Sequence, residues 1–240
     1  MEIYIEKDYN SLSNRAVEII ASFLQEKPNA VLGLPTGSTP QKTYELLAEK
    51  CKKGEICFKN VRTFNLDEYS KLSPTSNQSY HFFMNENLFS KTDIDIKNTF
   101  FPTDSRFFRQ NYDRKIKKMG GIDLQLLGIG RDGHIGFNEP GSKFSSKTRE
   151  VSLAETTIED NARFFKNIKD VPKKAVTMGV NTIMASKNII LIASGEKKSK
   201  AIYDALLGPV STKVPASIIQ KHKNVIVILD KEAAQKLIKK

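Results

Sequence analysis

The stretch Ala-Val-Leu-Gly-Leu-Pro-Thr-Gly-Ser-Thr-Pro at residues 30–40 contains the unit from which the whole chain is built. Its first half, Ala30–Leu34, is a short apolar run typical of a buried strand. A helix candidate, Pro40–Lys53, follows at once: Ser38 and Thr39 can cap its start, and proline is well tolerated in a first helical turn. A strand that turns directly into a helix is the first half of a crossover between parallel strands.

The same alternation continues on both sides of this unit. Most strand candidates are nearly continuous in Ile, Val, Leu and Phe, which suits strands covered on both faces. The other strand candidates are Glu2–Glu6, Val61–Leu66, Asp123–Gly128, Asn188–Ala193 and Asn224–Leu229. The other helix candidates are Ser11–Glu26, Asn77–Phe89, Arg106–Met119, Glu196–Leu207, Pro215–Lys221 and Lys231–Lys239. This order predicts an α/β fold: one domain over residues 1–240 with a mainly parallel, Rossmann-like sheet and helices on both faces.

The composition allows a full core and argues against export and membrane insertion. Of the 240 residues, 39% are hydrophobic, which is enough for one large domain. The longest apolar runs, such as Ile189–Ala193, are far too short to span a bilayer, and Glu2 and Glu6 interrupt any signal-peptide pattern. Cys51 and Cys57 form no metal-ligand pattern with the three histidines. We therefore expect a cytoplasmic protein with free thiols and no membrane partner.

The formal net charge of +11 does not by itself indicate nucleic-acid binding. Nucleic-acid-binding proteins gather Lys and Arg on one face or in an arm, whereas here the basic residues are dispersed in short clusters such as Arg114–Lys118. We therefore expect no nucleic-acid partner. A basic surface that attracts a small anionic substrate is the better interpretation.

Ligands of parallel α/β sheets bind beyond the carboxyl ends of the strands, so the polar residues after each strand candidate matter most. After Ala30–Leu34 come Thr36, Gly37, Ser38 and Thr39. Amides exposed at a helix start, together with three hydroxyls, would suit a phosphate group. The segment is not a P-loop, because no Gly-Lys-Ser/Thr follows, and an ordinary capped turn is the alternative.

Two adjacent carboxylates, Asp67 and Glu68, lie where the strand Val61–Leu66 should end. One of them, facing a cleft, could act as a general base. Acidic residues are also common in turns, so a solvated loop is the alternative interpretation of this pair.

The segment with the most candidate catalytic residues is Gly-Ile-Gly-Arg-Asp-Gly-His-Ile-Gly-Phe-Asn-Glu-Pro at residues 128–140. Its first glycines have the G-x-G-x-x-G spacing of a dinucleotide-binding turn. However, Gly136 and Pro140 interrupt the helix that should follow such a turn. The glycines instead favour a backbone that approaches a ligand closely.

This segment also supplies Asp132, His134 and Glu139. A histidine between two carboxylates can be held in one tautomer, as a proton shuttle near neutral pH requires. A structural histidine is one alternative and a metal site is another. Asp132 and His134 are two apart in an irregular loop with no further histidine nearby, so we expect no metal.

Together these segments resemble the glucosamine-6-phosphate deaminase family, also called the isomerase family. The similarity extends in order from about Leu32 to Lys198, and several stretches in register make it specific. These stretches are Leu-Gly-Leu-Pro-Thr-Gly-Ser-Thr-Pro at 32–40, Phe-Asn-Leu-Asp-Glu-Tyr at 64–69, the segment at 128–140, Asn-Ala-Arg-Phe-Phe at 161–165 and Val-Pro-Lys-Lys-Ala-Val-Thr-Met-Gly-Val at 171–180.

The resemblance implies a cofactor-free conversion of glucosamine 6-phosphate and water into fructose 6-phosphate and ammonia. It also implies that Asp67 moves a proton between C1 and C2 of the opened sugar. His134 would open the ring, oriented by Asp132 and Glu139, and residues 153–171 would form a mobile lid. The phosphate would be held by Thr36, Gly37, Ser38, Thr39, Arg163 and Lys198. If the family resemblance is left aside, surface charge is the simpler interpretation of Arg163 and Lys198.

Two other functions share features with this sequence. A 6-phosphogluconolactonase has the same fold and a related Asp-Gly-His loop, but the Phe137–Pro140 continuation and Asp67 favour the deaminase. A sugar-phosphate-sensing regulator would need a DNA-reading helix pair, and a first strand candidate that begins at Glu2 leaves no room for one upstream.

Departures from the family pattern concern mainly regulation. Ser38 stands where many members have glycine, which should leave phosphate binding intact. Hexameric members bind an N-acetylated effector through a serine, an arginine and a lysine; Ser142 and Arg149 match the first two, but Val151 stands at the lysine position. The chain also ends at Lys240, without the longer C-terminal segment of those hexamers. We therefore expect a monomer with no allosteric N-acetylglucosamine 6-phosphate site.

Overall fold

A parallel β-sheet forms the centre of the fold. The computed structural model describes residues 1–162 and 165–238, with side chains described outside 106–110 and 160. The strands in these residues are β1 Glu2–Glu6, β2 Val31–Leu34, β3 Arg62–Asn65, β4 Asp67–Tyr69, β5 Thr99–Phe100, β6 Leu124–Leu127, β7 Arg149–Ser152, β8 Lys174–Thr177, β9 Asn188–Ala193 and β10 Val225–Asp230. Within the described residues, seven of them pair in parallel in the order β1-β10-β9-β6-β2-β3-β5.

Helices cover both faces of this sheet, as the sequence predicts. The α-helices are α1 Tyr9–Glu26, α2 Ser38–Lys52, α3 Tyr80–Asn87, α4 Arg106–Lys118, α5 Glu155–Asn161, α6 Val180–Met184, α7 Ser199–Leu207 and α8 Gln235–Ile238. One face packs against α1, α2 and α3, and the other against α4, α6, α7 and α8. The candidate helix Pro215–Lys221 is a 3₁₀ helix, and the end of Lys231–Lys239 lies outside the described residues.

The structure contains a second sheet that was not predicted from the sequence. Strands β4, β8 and β7 form it, and both of its pairings are antiparallel. These strands are short, and charged residues such as Asp67, Glu68, Arg149 and Glu150 occupy them. They therefore lack the apolar period by which the longer strands were found.

The start of α2 also differs from the prediction. Ser38 and Thr39 do not cap it, because the helix already begins at Ser38 and Gly37 is the N-cap, without a side-chain hydrogen bond. Gly37 has a φ of 102°, a conformation that residues with a Cβ rarely adopt. The left-handed turn at Gly37 thus brings the helix start forward by two residues, to Ser38.

The second sheet lies directly beyond the carboxyl end of β3. Only Leu66 separates β3 from β4, so the chain enters the second sheet where it leaves the first. Asp67 on β4 and Arg149 on β7 both pair with Thr177 on β8. This arrangement places a buried carboxyl group at the ligand-binding end of the parallel sheet.

Candidate active site

A cavity of about 610 Å³ opens at the carboxyl end of the parallel strands. It is lined by segments that follow β2, β3, β6, β9 and β10. Asp132 and Glu139 do not line it, and Arg163 lies outside the described residues. The cavity brings together the remaining residues selected from the sequence, namely Thr36, Gly37, Ser38, Thr39, Asp67, His134 and Lys198.

The predicted phosphate-binding end of the cavity is held in place by hydrogen bonds of two side chains, Tyr9 and Asp230. The hydroxyl of Tyr9 donates to carbonyl oxygens in the first turn of α2, at 2.8 and 3.0 Å. Asp230 accepts hydrogen bonds from Ser194 Oγ at 2.5 Å and from the Gly195 N–H at 3.0 Å, which fixes the turn that leads to Lys198. An anion here would meet a helix N-terminus and an ammonium group.

Asp67 is buried in the cavity wall, with 6% of its surface exposed. Burial raises its pKa from 3.8 to about 8, with a smaller contribution from the neighbouring Glu68 carboxyl. Within the described part of the chain, no hydrogen bond reaches its carboxyl oxygens. A buried carboxyl group that titrates near neutral pH and has no fixed partner is suited to accept a substrate proton.

Glu68, the other acid of the pair, is occupied by structural contacts. Its carboxylate accepts hydrogen bonds from the backbone N–H groups of Tyr69 at 2.9 Å, Tyr80 at 3.0 Å and His81 at 3.0 Å, and lies 2.7 Å from His81 Nδ1. Because Tyr80 and His81 open α3, Glu68 stabilises the start of that helix. Of these two neighbouring acids, Asp67 lines the cavity and Glu68 does not.

The His134 ring lies over Gly130 at the edge of the cavity. Its Nδ1 is 2.7 Å from Asp132 Oδ1, and its backbone N–H donates to the same oxygen at 3.1 Å. The contact between Nδ1 and the carboxylate has the distance of an ion pair but not the alignment of a hydrogen bond. It is therefore electrostatic. Burial raises the pKa of Asp132, but its contacts with His134 outweigh burial and hold that pKa below the usual value. An ionised carboxylate therefore accompanies the imidazole.

Gly130 leaves the space that the His134 ring occupies. A Cβ at Gly130 would lie 2.2 Å from His134 Cε1 and 2.3 Å from Nδ1. We expect Gly130→Ala to displace the ring and lower kcat by roughly 100-fold, because a misplacement of about 1 Å can have that effect. A kcat in Gly130→Ala equal to that of the wild type would contradict this expectation.

Glu139 does not contact His134, contrary to the expectation that it orients the ring. Its carboxylate accepts hydrogen bonds from the Ala154 N–H at 2.9 and 3.0 Å and from Thr157 Oγ1 at 2.7 Å. Both partners belong to residues 153–171, the predicted lid. An irregular loop has no period, so closeness in sequence does not set the direction of a side chain.

One wall of the cavity is aromatic, and it was not predicted from the sequence. Tyr69, Tyr80, Phe137 and Phe165 all line it. The Tyr69 ring centroid lies 4.9 Å from that of Tyr80, 5.9 Å from that of Phe137 and 5.8 Å from that of Phe165. A signal was available for Tyr69, Phe137 and Phe165, which stand inside the matched motifs. The wall gives the cavity an apolar side that limits water.

The cysteines lie away from the cavity and are free thiols, as expected. Cys51 Sγ lies 3.2 Å and Cys57 Sγ 2.9 Å from the Asp93 carboxylate. In the described ranges, no three His, Cys, Asp or Glu side chains are grouped so that they could hold a metal ion. None of the helices in residues 1–162 and 165–238 combines the length and apolar composition needed to cross a bilayer.

The chain is similar to known proteins over nearly its whole length. A sequence model of the family described as glucosamine-6-phosphate isomerases/6-phosphogluconolactonase matches residues 6–228. A glucosamine-6-phosphate deaminase of Clostridioides difficile (strain 630) is 49% identical over 241 residues, covering 99% of this chain and 97% of the relative. The structure of a monomeric glucosamine-6-phosphate deaminase has a TM-score of 0.95 at 44% identity, over 98% of this chain and 99% of the other. A 6-phosphogluconolactonase from Thermotoga maritima has a TM-score of 0.75 at 25% identity, over 96% and 99% of the two chains.

Proposed function

The chain belongs to the family of glucosamine-6-phosphate isomerases and 6-phosphogluconolactonases, and we propose that it converts glucosamine 6-phosphate and water into fructose 6-phosphate and ammonia. The observation that carries this proposal is that Asp67, His134 and the start of α2 line one cavity. One hexose phosphate can therefore meet a base, an acid/base group and an anion site at once. We propose a cofactor-free hydrolysis of a C–N bond, because His134 and Asp67 supply acid/base groups for ring opening and for the proton transfer between C2 and C1.

The first step opens the sugar ring at His134. The imidazole exchanges a proton between the O1 hydroxyl and the ring oxygen O5, so that the C1–O5 bond breaks and an aldehyde forms at C1. Positive charge that develops on the ring is stabilised by Asp132, whose carboxylate lies 2.7 Å from Nδ1.

The second step moves a proton from C2 to C1 at Asp67. The carboxylate removes the C2 proton and O1 takes up a proton from solvent, so that the C1 aldehyde becomes the hydroxyl of an enolamine with a double bond between C1 and C2. Return of the proton to C1 leaves an iminium group at C2. Water then adds to C2 and one of its protons passes to the nitrogen. The C–N bond breaks, ammonia leaves, and the remaining proton returns to solvent as the C2 ketone of fructose 6-phosphate forms. A raised pKa near 8 makes Asp67 a stronger base than an exposed aspartate.

The phosphate would bind far from the reacting carbons. We propose that Thr36–Thr39 and Lys198 hold it, with Arg163 as a further ligand. Binding energy from the phosphate orients C1 and C2 without taking part in the chemistry. We propose that residues 153–171 act as a lid, supported by the packing of Phe165 against Tyr69, with ring centroids 5.8 Å apart.

An ammonia-coupled assay with glucosamine 6-phosphate tests the proposed reaction. We expect ammonia and fructose 6-phosphate in equal amounts. A lactonase would instead hydrolyse 6-phosphogluconolactone, so lactone hydrolysis without ammonia release from the amino sugar would contradict the proposal. The higher identity to deaminases, 49% against 25% for the lactonase, favours ammonia release.

We propose that the protein is a monomer without an effector site. A monomeric deaminase is among its structural relatives, and Val151 replaces the lysine of the family's effector site. We expect a particle of 27.0 kDa in gel filtration and hyperbolic kinetics that N-acetylglucosamine 6-phosphate does not change. A hexamer, or sigmoidal kinetics that this effector corrects, would refute the proposal.

A further inference from the structure

We propose that Arg149 is a positioning residue for this reaction, acting through Asn138 to hold the loop of His134 in register with the strand of Asp67. The inference rests on the proposed function, because it concerns the geometry of the same site. Neither Arg149 nor Asn138 lines the cavity. Their effect must therefore be transmitted through the backbone that carries the two reacting side chains.

Arg149 is partly buried on β7, and both of its hydrogen-bond partners are neutral. Its Nη1 donates to Asn138 Oδ1 at 2.8 Å, and its Nη2 donates to Ser142 Oγ at 3.2 Å. In the part of the chain that the structure describes, no carboxylate forms an ion pair with it. Burial lowers the pKa of its guanidinium below the usual value. A cation in this environment is stabilised mainly by the hydrogen bonds it donates.

Asn138 links the two halves of the site. It is fully buried, and its Nδ2 donates to Ile135 O at 2.9 Å and to Met178 O at 2.8 Å. Ile135 directly follows His134 in the chain. The Met178 N–H donates, at 2.6 Å, to the carbonyl oxygen of the residue before Asp67. One side-chain amide thus connects the backbone at His134 with the backbone at Asp67.

The second sheet adds another connection. Thr177 pairs across the strands with Asp67 on one side and Arg149 on the other. Its hydroxyl accepts a hydrogen bond from the Phe137 N–H at 3.0 Å, in the same loop as His134. Paired residues of neighbouring strands point to the same face, so this row aligns Arg149 with Asp67.

The orientation of the Asn138 amide depends on Arg149. With the guanidinium in place, the oxygen end of the amide faces a donor and the NH₂ end faces two carbonyl oxygens. Without it, Oδ1 is a buried acceptor that lacks a donor, which is unfavourable. The amide can then rotate, and its bonds to Ile135 and Met178 are lost. The distance between His134 and Asp67 is then no longer held, and a misplacement of about 1 Å is enough to slow catalysis.

The first test compares Arg149→Ala with the wild-type enzyme in the ammonia assay. We expect kcat to fall roughly 10- to 100-fold, while KM for glucosamine 6-phosphate changes little, because Arg149 makes no contact with the phosphate end. Millimolar guanidinium chloride should restore much of the lost kcat, since the free ion can fill the vacated space and donate to Asn138. Sodium chloride should not. Arg114→Ala removes an exposed arginine of α4 and should respond to neither salt.

Asn138→Asp separates positioning from general stability. The carboxylate still accepts from Arg149 but cannot donate to Ile135 and Met178. We expect kcat to fall as in Arg149→Ala, and guanidinium should not restore it. Three results would each overturn the inference: wild-type kcat in Arg149→Ala, a loss of kcat that matches a loss of folded protein, or full activity in Asn138→Asp. Absence of ammonia release by the wild type would instead overturn the proposed function.

Discussion

Asp67→Asn is expected to lower kcat by about 10³-fold, because the amide cannot accept the C2 proton. Substrate binding should persist, since asparagine fills the same volume and the phosphate contacts lie at the start of α2. Rates of ammonia release and a substrate Kd from calorimetry measure the two effects separately. For the wild type, kcat/KM should rise with pH toward a plateau above the Asp67 pKa of about 8. Full turnover in the variant would remove Asp67 from the mechanism.

The same variant should be more stable than the wild type at alkaline pH. The folded pKa of Asp67 is raised from 3.8 to about 8, so between these values the unfolded chain has released a proton that the folded chain still holds. Folding stability from this group therefore falls as pH rises through this window and stays low above it. Asparagine carries no such proton. Thermal unfolding should give the variant a higher Tm by at least ~2 °C at pH 8, with a smaller difference at pH 5.

Glu68→Gln is the matched control for Asp67→Asn, and its effects should have the opposite pattern. Glu68 accepts hydrogen bonds from the backbone N–H groups of Tyr80 and His81, which open α3, and from that of Tyr69 on β4. Removing its charge weakens these charge-assisted bonds, so Tm should fall. Because the carboxylate of Glu68 faces α3, most of the turnover should remain. A loss of kcat equal to that of Asp67→Asn would contradict the assignment of the two acids.

His134→Gln should lower kcat by about 100-fold or more, because glutamine cannot exchange a proton with the sugar ring. The small fraction of substrate that is already open in solution bypasses this step. A stopped-flow trace should therefore show a brief fast phase, limited by Asp67, followed by slow turnover limited by ring opening. An open-chain alditol analogue of the substrate should bind as tightly as it does to the wild type.

Asp132→Asn is the companion to His134→Gln. It keeps the ring beside a polar group but removes the ionised carboxylate 2.7 Å from Nδ1, so kcat should fall less than in His134→Gln. A uniformly slow reaction in His134→Gln, without a fast phase, would place His134 in a later step. Full activity in His134→Gln would exclude His134 from the mechanism.

The parallel sheet could be predicted from the sequence because its signals are local. Strands β9 and β10 are continuous apolar runs, and Asn188–Ala193 was predicted with the bounds that the structure has. Gly136 and Pro140 excluded a helix after Gly133, and the structure shows a loop there. Such signals depend on period, backbone freedom and proline geometry over a few residues. They need no knowledge of distant contacts.

By itself, the sequence thus determined the class of fold and the strand ends at which polar chemistry gathers. Only the tertiary structure decided which of those polar groups face the cavity: Asp67 does, Glu68 turns to α3, and Glu139 turns to the predicted lid. The structure alone also revealed the hydrogen bonds that join Asn138 to Arg149 and to the backbone at Ile135 and Met178. The physical reason is that side-chain direction and loss of solvent arise from packing between segments far apart in the chain. No local pattern encodes that packing.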